Sequence, residues 1–574
     1  MTEPLRIANV SGFYGDRLSA MREQLEGGPI DVLTGDYLSE LTMLILGRDQ
    51  MKDQTRGYAG TFLLQVTDCL VLAHERRVRI VSNAGGLNPA GLAGALRDVV
   101  TEAGLPMTVA YVDGDDLRSD GSEFGVDGLL TANAYLGAFG IAEALLRGVD
   151  IVVTGRVTDA SLAMGPAIAH YGWGREDFDE LAGALIAGHV IECGAQATGG
   201  NFSGFTRIAD LTRPGFPIAE ISADGSCVIT KHPGTPGAVT RDTVTAQLVY
   251  EIGAPAYLNP DVVGHLDTVR LTDAGPDRVR IDGVRGTPPP PTTKVALNRL
   301  GGFRNSVQFL LTGLDIPAKA ALVRAQLEQT LAADPPSEVV WRLDNTTKPD
   351  PETQGAATAL LTCQVLDPAD GPVGRTFTAA AVELALASYP GFTVTRPPSR
   401  PTAYGIYSAA YVEQARAPHR VNLPDGAVIQ IAPPQVIEPV AEDTAISEPT
   451  ALHVLSDTMR SPLGSIAHAR SGDKGGDANV GVWIPVAHPG ADAAFDWLRS
   501  LLTPEGIREL LPEAADLDVD VWPLPNLYAV NIVIHGLLGE GVAASTRTDP
   551  QAKALGEWLR ARVVDIPQQM MEFR

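Results

Sequence analysis

The stretch VDIVVTGRVTDAS, residues 149–161, decides the reading of the fold. Its first half is a β-rich run. Thr154 and Gly155 end that run, a polar loop follows, and ASLAMGPAIAHYG then reads as a helix. The same order recurs upstream. LRIANVSG (5–12) is a short apolar run ending in glycine. VRIVSN (78–83) is followed by AGGLNP and the helical pattern AGLAGALRDVVTEAG, and MTVAYVDGDD (107–116) precedes the helical LGAFGIAEALLRG. Strand, loop and helix at this spacing form the pattern of a parallel sheet with helices on its faces. Such sheets bind ligands at the carboxyl ends of their strands, where these loops gather.

Two of the strand-end loops carry candidate chemistry. In 149–161, Arg156 is a fork of donors suited to a carboxylate or phosphate. Thr154 and Thr158 offer hydroxyls, and Thr158 or Asp159 can cap the following helix. The bland alternative is an internal Arg156–Asp159 pair. SNAGGLNP (82–89) leaves a strand and enters a helix, with Asn88 as N-cap and Pro89 in the first turn. Asn83, Gly85, Gly86 and Asn88 could cradle an anion at the positive helix end, or the glycines could serve only a tight turn. The spacing is neither G-x-G-x-x-G nor a P-loop, so no nucleotide fingerprint is present.

AGHVIECGAQATGGNF (187–202) closes a buried helical run. Leu181, Leu185, His189 and Cys193 follow one another at i, i+4 and share a helix side. A His189–Cys193 nucleophile is conceivable, but His189 continues an apolar stripe. Cys193 also sits at the helix C-terminus, where the macrodipole disfavours a thiolate. Glu192 is the better general acid or base, with Gln196, Thr198 and Asn201 as polar ligands from a glycine-loosened loop.

From about Ile218 turn formers and β-branched residues take over, DRVRIDGVRG looks like a hairpin arm, and TPPPPTTK must be extended. Residues 430–450 are proline-rich and read as a linker. The last 110 residues or so look like a separate α+β module, ββαββα plus a final strand. Within it HARSGDKGGDANVG (468–481) is taken as two strands joined by the loop SGDKGGDA, with Arg470, Asp473 and Lys474 as anion-binding candidates. DPQAKALGEWLRARV reads as a helix capped by Asp549. Asp36, Tyr37, Lys231 and His232 are minor candidates, each more economically structural.

Hydrophobic residues make up 45% of the 574 and charged ones 20%, ordinary for a globular protein. The net charge of −25 argues against a nucleic-acid partner. Four scattered cysteines without a C-x-x-C pair argue against a zinc knuckle and fit a reducing cytoplasm. Neither a signal peptide nor a membrane span is expected, and no spacing argues for a metal.

SNAGGLNP, DIVVTGRVTDASLAMGP, AGHVIECGAQATGGNF, FPIAEISADGSCVITKHPGTPG and TVTAQLVYEIGAPAYLNPDV resemble the acyclic terpene utilisation (AtuA-like) proteins. IAHARSGDKGGDANVGVW and GLLGEGVAASTRTDPQAKALG carry the likeness into the C-terminal part, and the chain departs from the pattern at Phe13–Tyr14 and His232. The resemblance implies an N-terminal domain over 1–456, made of an α/β part (1–217) and a β-rich part with linker (218–456). A ferredoxin-fold-like domain would follow at 461–574. The fold class expected is therefore α/β, a mostly parallel sheet with a β-rich subdomain, followed by an α+β ferredoxin-like domain.

The resemblance also implies catabolism of a branched or terpenoid acyl-CoA or carboxylate. It identifies neither a cofactor nor catalytic residues. From the residues, Glu192, Arg156 and Asp159 are the catalytic candidates for hydratase- or lyase-like proton transfer. Arg156 would hold the anion and the amides near Gly85 and Gly86 would polarise it. The expected partner is an anionic small molecule or CoA thioester, and the assembly a homo-oligomer. The alternative is a non-catalytic binding or assembly subunit of an acyl-CoA catabolic complex.

Overall fold

The computed structural model describes residues 3–440 and 457–571. The chain is an α/β protein. Its centre is a block of five parallel strands in the order Leu5–Asn9, Val32–Gly35, Arg79–Ser82, Ile151–Thr154, Val109–Asp113. Antiparallel strands extend both edges to eleven, among them Pro217–Ile221 and Cys227–Lys231 on one side and His419–Asn422 on the other.

Residues 151–153 explain why the block is buried on both faces. Val152 faces a core with helices Ser161–Tyr171 and Phe178–Glu192, while Ile151 and Val153 face another with Gly60–Glu75 and Pro89–Glu102. Alternation along a strand sends successive side chains to opposite faces, so both must be apolar. Fully burying each such side chain stabilises the fold by roughly 1.5–3 kcal/mol. Asn88 caps Pro89–Glu102 by accepting from the Gly91 N–H at 2.9 Å.

The chain forms two compact units. The first holds Met1–Asn298, Tyr407–Val542 and Gln551–Arg574; the second holds Arg299–Ile406 and Ala543–Pro550. The second has its own core, in which Val307, Phe309 and Leu311 meet Val323 and Leu327 of helix Ile316–Leu331 and Phe377 of helix Phe377–Glu383. The C-terminal four-stranded antiparallel sheet belongs to the first unit. Its order is His468–Lys474, Asp477–Trp483, Ala529–Ile534, Val519–Leu524. Trp483, Leu524, Leu527 and Ala529 from this module lie in the same apolar core as Ile7 and Val152. The expected linker 430–450 falls partly on 441–456, outside the described residues.

Several local expectations are corrected. SGDKGGDA is not a loop: strands run to Lys474 and resume at Asp477, leaving the two-residue turn Gly475–Gly476. Gly475 has φ +69°, the left-handed conformation such tight hairpins need. Within DRVRIDGVRG, Val279–Asp282 is the hairpin arm expected, antiparallel to Arg270–Asp273 in the large sheet, whereas Arg285–Thr287 leaves it to pair with Val263–His265. The last helix starts at Leu555 rather than after Asp549, because Ala552 has φ +52°, which a helix cannot accommodate. Neither Thr158 nor Asp159 caps Ser161–Tyr171, since both side chains are engaged elsewhere. Among the described residues no helix is long and apolar enough to cross a membrane.

Candidate functional site

The parallel strands end in polar residues on one rim. Asp36 follows Val32–Gly35, Asn83 follows Arg79–Ser82, Asp115 follows Val109–Asp113, and Arg156 follows Ile151–Thr154. All four are buried. The Asn83 amide donates to Asp36 Oδ1 at 2.6 Å and accepts from the Tyr37 N–H at 2.8 Å. The Arg156 N–H donates to Asp115 Oδ2 at 2.8 Å, and its guanidinium donates to Asp159 Oδ1 at 2.6 Å and Leu38 O at 3.2 Å. The internal pair that the sequence allowed is therefore formed. Arg156 itself is only 3% accessible, while 29% of the Asp159 side chain stays open to solvent, so the pair meets solvent through its carboxylate. Gly155 must be glycine, since a Cβ there would lie 2.1 Å from Asp115 Oδ1. Burial raises Asp115 to about 7.

A second layer comes from residues that the sequence did not single out. The Tyr135 ring lies under the Arg156 guanidinium, 4.2 Å from centroid to Cζ, a cation–π distance. The Tyr135 hydroxyl donates to Glu40 Oε1 at 3.0 Å, and Lys294 Nζ lies 3.1 Å from the same oxygen. Burial pushes Glu40 upward, but Lys294 and Arg156 more than offset it, so Glu40 stays a carboxylate well below its usual range. Burial likewise works against charge on Lys294, and Tyr135 with Glu40 outweighs it. Lys294 is thus fixed as a cation.

Glu192 ends a helix whose last twelve residues are all buried. Its Oε1 lies 3.1 Å from His189 Nδ1, its carbonyl accepts from the Asn9 amide at 3.4 Å, and its Oε2 has no partner. Burial first, then Asp159 and Glu251, push Glu192 well above the usual carboxylate range, with Lys474 and Arg156 opposing. Burial, reinforced by Lys474, lowers His189 to about 4, so the imidazole is neutral at pH 7. Hence a neutral imidazole lies beside a carboxyl whose surroundings favour its protonated form. Cys193 is held protonated by burial and by Glu251 and Glu192, which suits a structural thiol.

The C-terminal module completes the rim. Arg470 donates to Gln196 Oε1 and, at 3.2 Å, to Asn201 O, and its guanidinium lies 4.2 Å from the centroid of the Tyr250 ring. Lys474 Nζ donates to Glu251 O at 2.6 Å. Burial and the nearby Glu251 and Glu40 raise Asp473 to about 7. Glu251 itself has φ +55°, an uncommon left-handed conformation for a residue with a Cβ. Such outliers gather at functional sites. Lys474 is exposed to water, and Lys294 and Glu40 keep about a quarter of their side chains accessible, yet all three feel strong desolvation. These groups are thus crowded by surrounding protein while part of each side chain stays open to solvent.

The structure thus brings together Glu192, Arg156, Asp159, Asn83, Gln196, Asn201, Arg470, Asp473 and Lys474. Other candidates have local partners instead. The amides of Gly86, Leu87 and Asn88 bond to Asn83 O, Gly57 O and Gly85 O, so that loop has little left for an anion. A Cβ at Gly85 would lie 2.4 Å from Thr154 O, which assigns the glycine to packing. Thr154 bonds to Gly155 O, Thr158 accepts from Asn259, and Thr198 donates to Gly215 O. Lys231 pairs with Asp277 at 3.0 Å, and the His232 ring packs on Gly27 with its Nε2 at Gln24 O. Among the described residues no His, Cys, Asp and Glu side chains converge as a metal site.

The model of the "Acyclic terpene utilisation family protein AtuA" matches residues 5–423, and that of the "AtuA ferredoxin-like domain" matches 461–565. No curated protein and no solved structure matches the chain.

Proposed function

The chain belongs to the acyclic terpene utilisation family AtuA, and from that premise we propose that it is a catabolic enzyme moving protons on a branched or terpenoid acyl-CoA or carboxylate. The observation that carries this reading is Glu192, a buried carboxyl with one unpartnered oxygen, beside a neutral imidazole and within electrostatic reach of Arg156 and Lys474. A neutral carboxyl at working pH is what general-acid catalysis needs, and its conjugate base can take the proton back.

Arg156 and Lys294 supply fixed positive charge for an anionic group or a developing enolate oxygen. Tyr135 ties the two cations together through its ring and through Glu40. Glu192 then delivers a proton to a departing hydroxyl or a carbon, which is hydratase- or lyase-like chemistry.

The test is solvent-deuterium exchange into a panel of branched acyl-CoA thioesters and free branched acids, read by mass spectrometry. Wild-type protein should label a subset of these. Glu192→Gln should lose roughly 10²–10⁴-fold of the exchange rate, with Arg156→Ala also impaired. Wild-type exchange rates in both variants would refute the assignment. Binding without exchange by wild-type protein would favour a non-catalytic subunit.

A further inference from the structure

We propose that Lys474 is an amine nucleophile that forms an imine with an aldehyde or ketone in the cleft. The two cleft lysines are held in opposite ways. Lys294 is paired to Glu40 at 3.1 Å and sits over the Tyr135 ring. Lys474 has no carboxylate within 4.0 Å among the described residues; its ammonium or amine contacts the neutral carbonyl of Glu251 at 2.6 Å. An amine that donates one N–H to a carbonyl keeps its lone pair free. It is also the exposed member of the pair, at the tip of the Gly475–Gly476 hairpin.

The hairpin is seated firmly enough to aim it. A Cβ at Gly472 would lie 2.5 Å from the Tyr250 ring, one at Gly475 2.7 Å from the Tyr407 ring, and one at Gly476 2.4 Å from Gly539 O. Three close approaches fix the tip between tyrosines from two other segments. Burial and the neighbouring Lys294 charge lower the basicity of Lys474, while Glu251, Glu40 and Glu192 oppose this, and the balance remains downward. A lysine desolvated beside another cation is the standard way to expose a nucleophilic amine at neutral pH.

The step balances with groups already present, and it rests on the proton-donor reading of Glu192. The Nζ lone pair forms the C–N bond and the carbonyl π pair moves to oxygen, which takes the Glu192 proton. The carbinolamine nitrogen returns a proton to the Glu192 carboxylate. Glu192 then protonates the hydroxyl, water leaves, and the nitrogen lone pair forms C=N. One carbonyl, one amine and one carboxyl become one iminium, one water and one carboxylate. That carboxylate is then the base for a C–H bond beside the iminium, and water hydrolysis of the iminium frees the lysine.

The experiment is reductive trapping with 3-methylbutanal and sodium cyanoborohydride at pH 7, followed by peptide mass spectrometry. The chain has only seven lysines, so every competing site can be followed. The reduced adduct should accumulate on Lys474 at least tenfold faster than on Lys52, Lys319 or Lys348, and Glu192→Gln should slow it. An adduct spread evenly over the lysines, or absent from Lys474, would overturn the inference. Because trapping uses folded wild-type protein, it does not depend on a variant's stability. Loss of trapping with Glu192-dependent exchange intact would remove this step alone, whereas loss of exchange with trapping intact would remove the proposed proton transfer to acyl substrates.

Discussion

Glu192 keeps its proton for reasons that can be separated by substitution. Burial contributes most, and Asp159 and Glu251 add repulsion. Activity needing that proton should therefore be full at low pH and fall as pH rises through the elevated pKa. Asp159→Asn should move this falling limb to lower pH, read from the pH dependence of exchange. Asp115 offers a second, stability-based check. Its pKa rises from 3.8 unfolded to about 7 folded, so its favourable contribution is complete below 3.8 and is lost as pH climbs through 7. Asp115→Asn can keep the Arg156 N–H bond, so its melting temperature relative to wild type should rise between pH 4 and pH 7.5. At this scale the sequence was half legible. Glu192, Arg156 and Lys474 stand in polar strand-end or glycine-rich contexts that announce themselves. Glu40, Lys294 and Tyr135 do not, because Glu40 looks like a helix first-turn acid and Lys294 like the end of a proline run. Only the fold places them at Arg156.

The hairpin 468–483 is the element on which the composite site depends. Gly475 has φ +69° and lies against Tyr407. Gly475→Val should cost roughly 1–2 kcal/mol from the left-handed backbone alone, more from the ring contact, and should abolish trapping at Lys474. Gly94 is the control. It lies inside helix Pro89–Glu102, and a Cβ there meets nothing within 4 Å. Gly94→Ala should stabilise by about 0.4–1 kcal/mol, measured by urea unfolding. The helices and parallel strands were legible because apolar periodicity and the Asn88–Pro89 cap are local signals. Only the distal part of the hairpin, 471–478, reads as a loop, because Ser471, Gly472, Asp473, Lys474 and Asp477 there lack the apolar alternation by which strands are recognised. The last helix was placed too early for a related reason: an Asp-Pro start was legible, the left-handed Ala552 was not.

The C-terminal module shares an apolar core with the large sheet. Trp483 is fully buried there, with its indole N–H donating to Asp242 at 3.2 Å. Trp483→Ala should therefore destabilise the first unit by roughly 3–5 kcal/mol and weaken the cleft at the same time, seen as a lower urea midpoint and lost trapping. Sequence likeness reached the same family for both segments, while the shared core could not be foreseen, because core membership depends on which surfaces meet. Infrared difference spectroscopy tests directly whether these surroundings hold Glu192 as a neutral acid. At pH 7 the spectrum of wild type minus Glu192→Gln should contain a protonated-carboxyl carbonyl band that disappears on titration to high pH. A difference containing only ionised-carboxylate bands at pH 7 would contradict it.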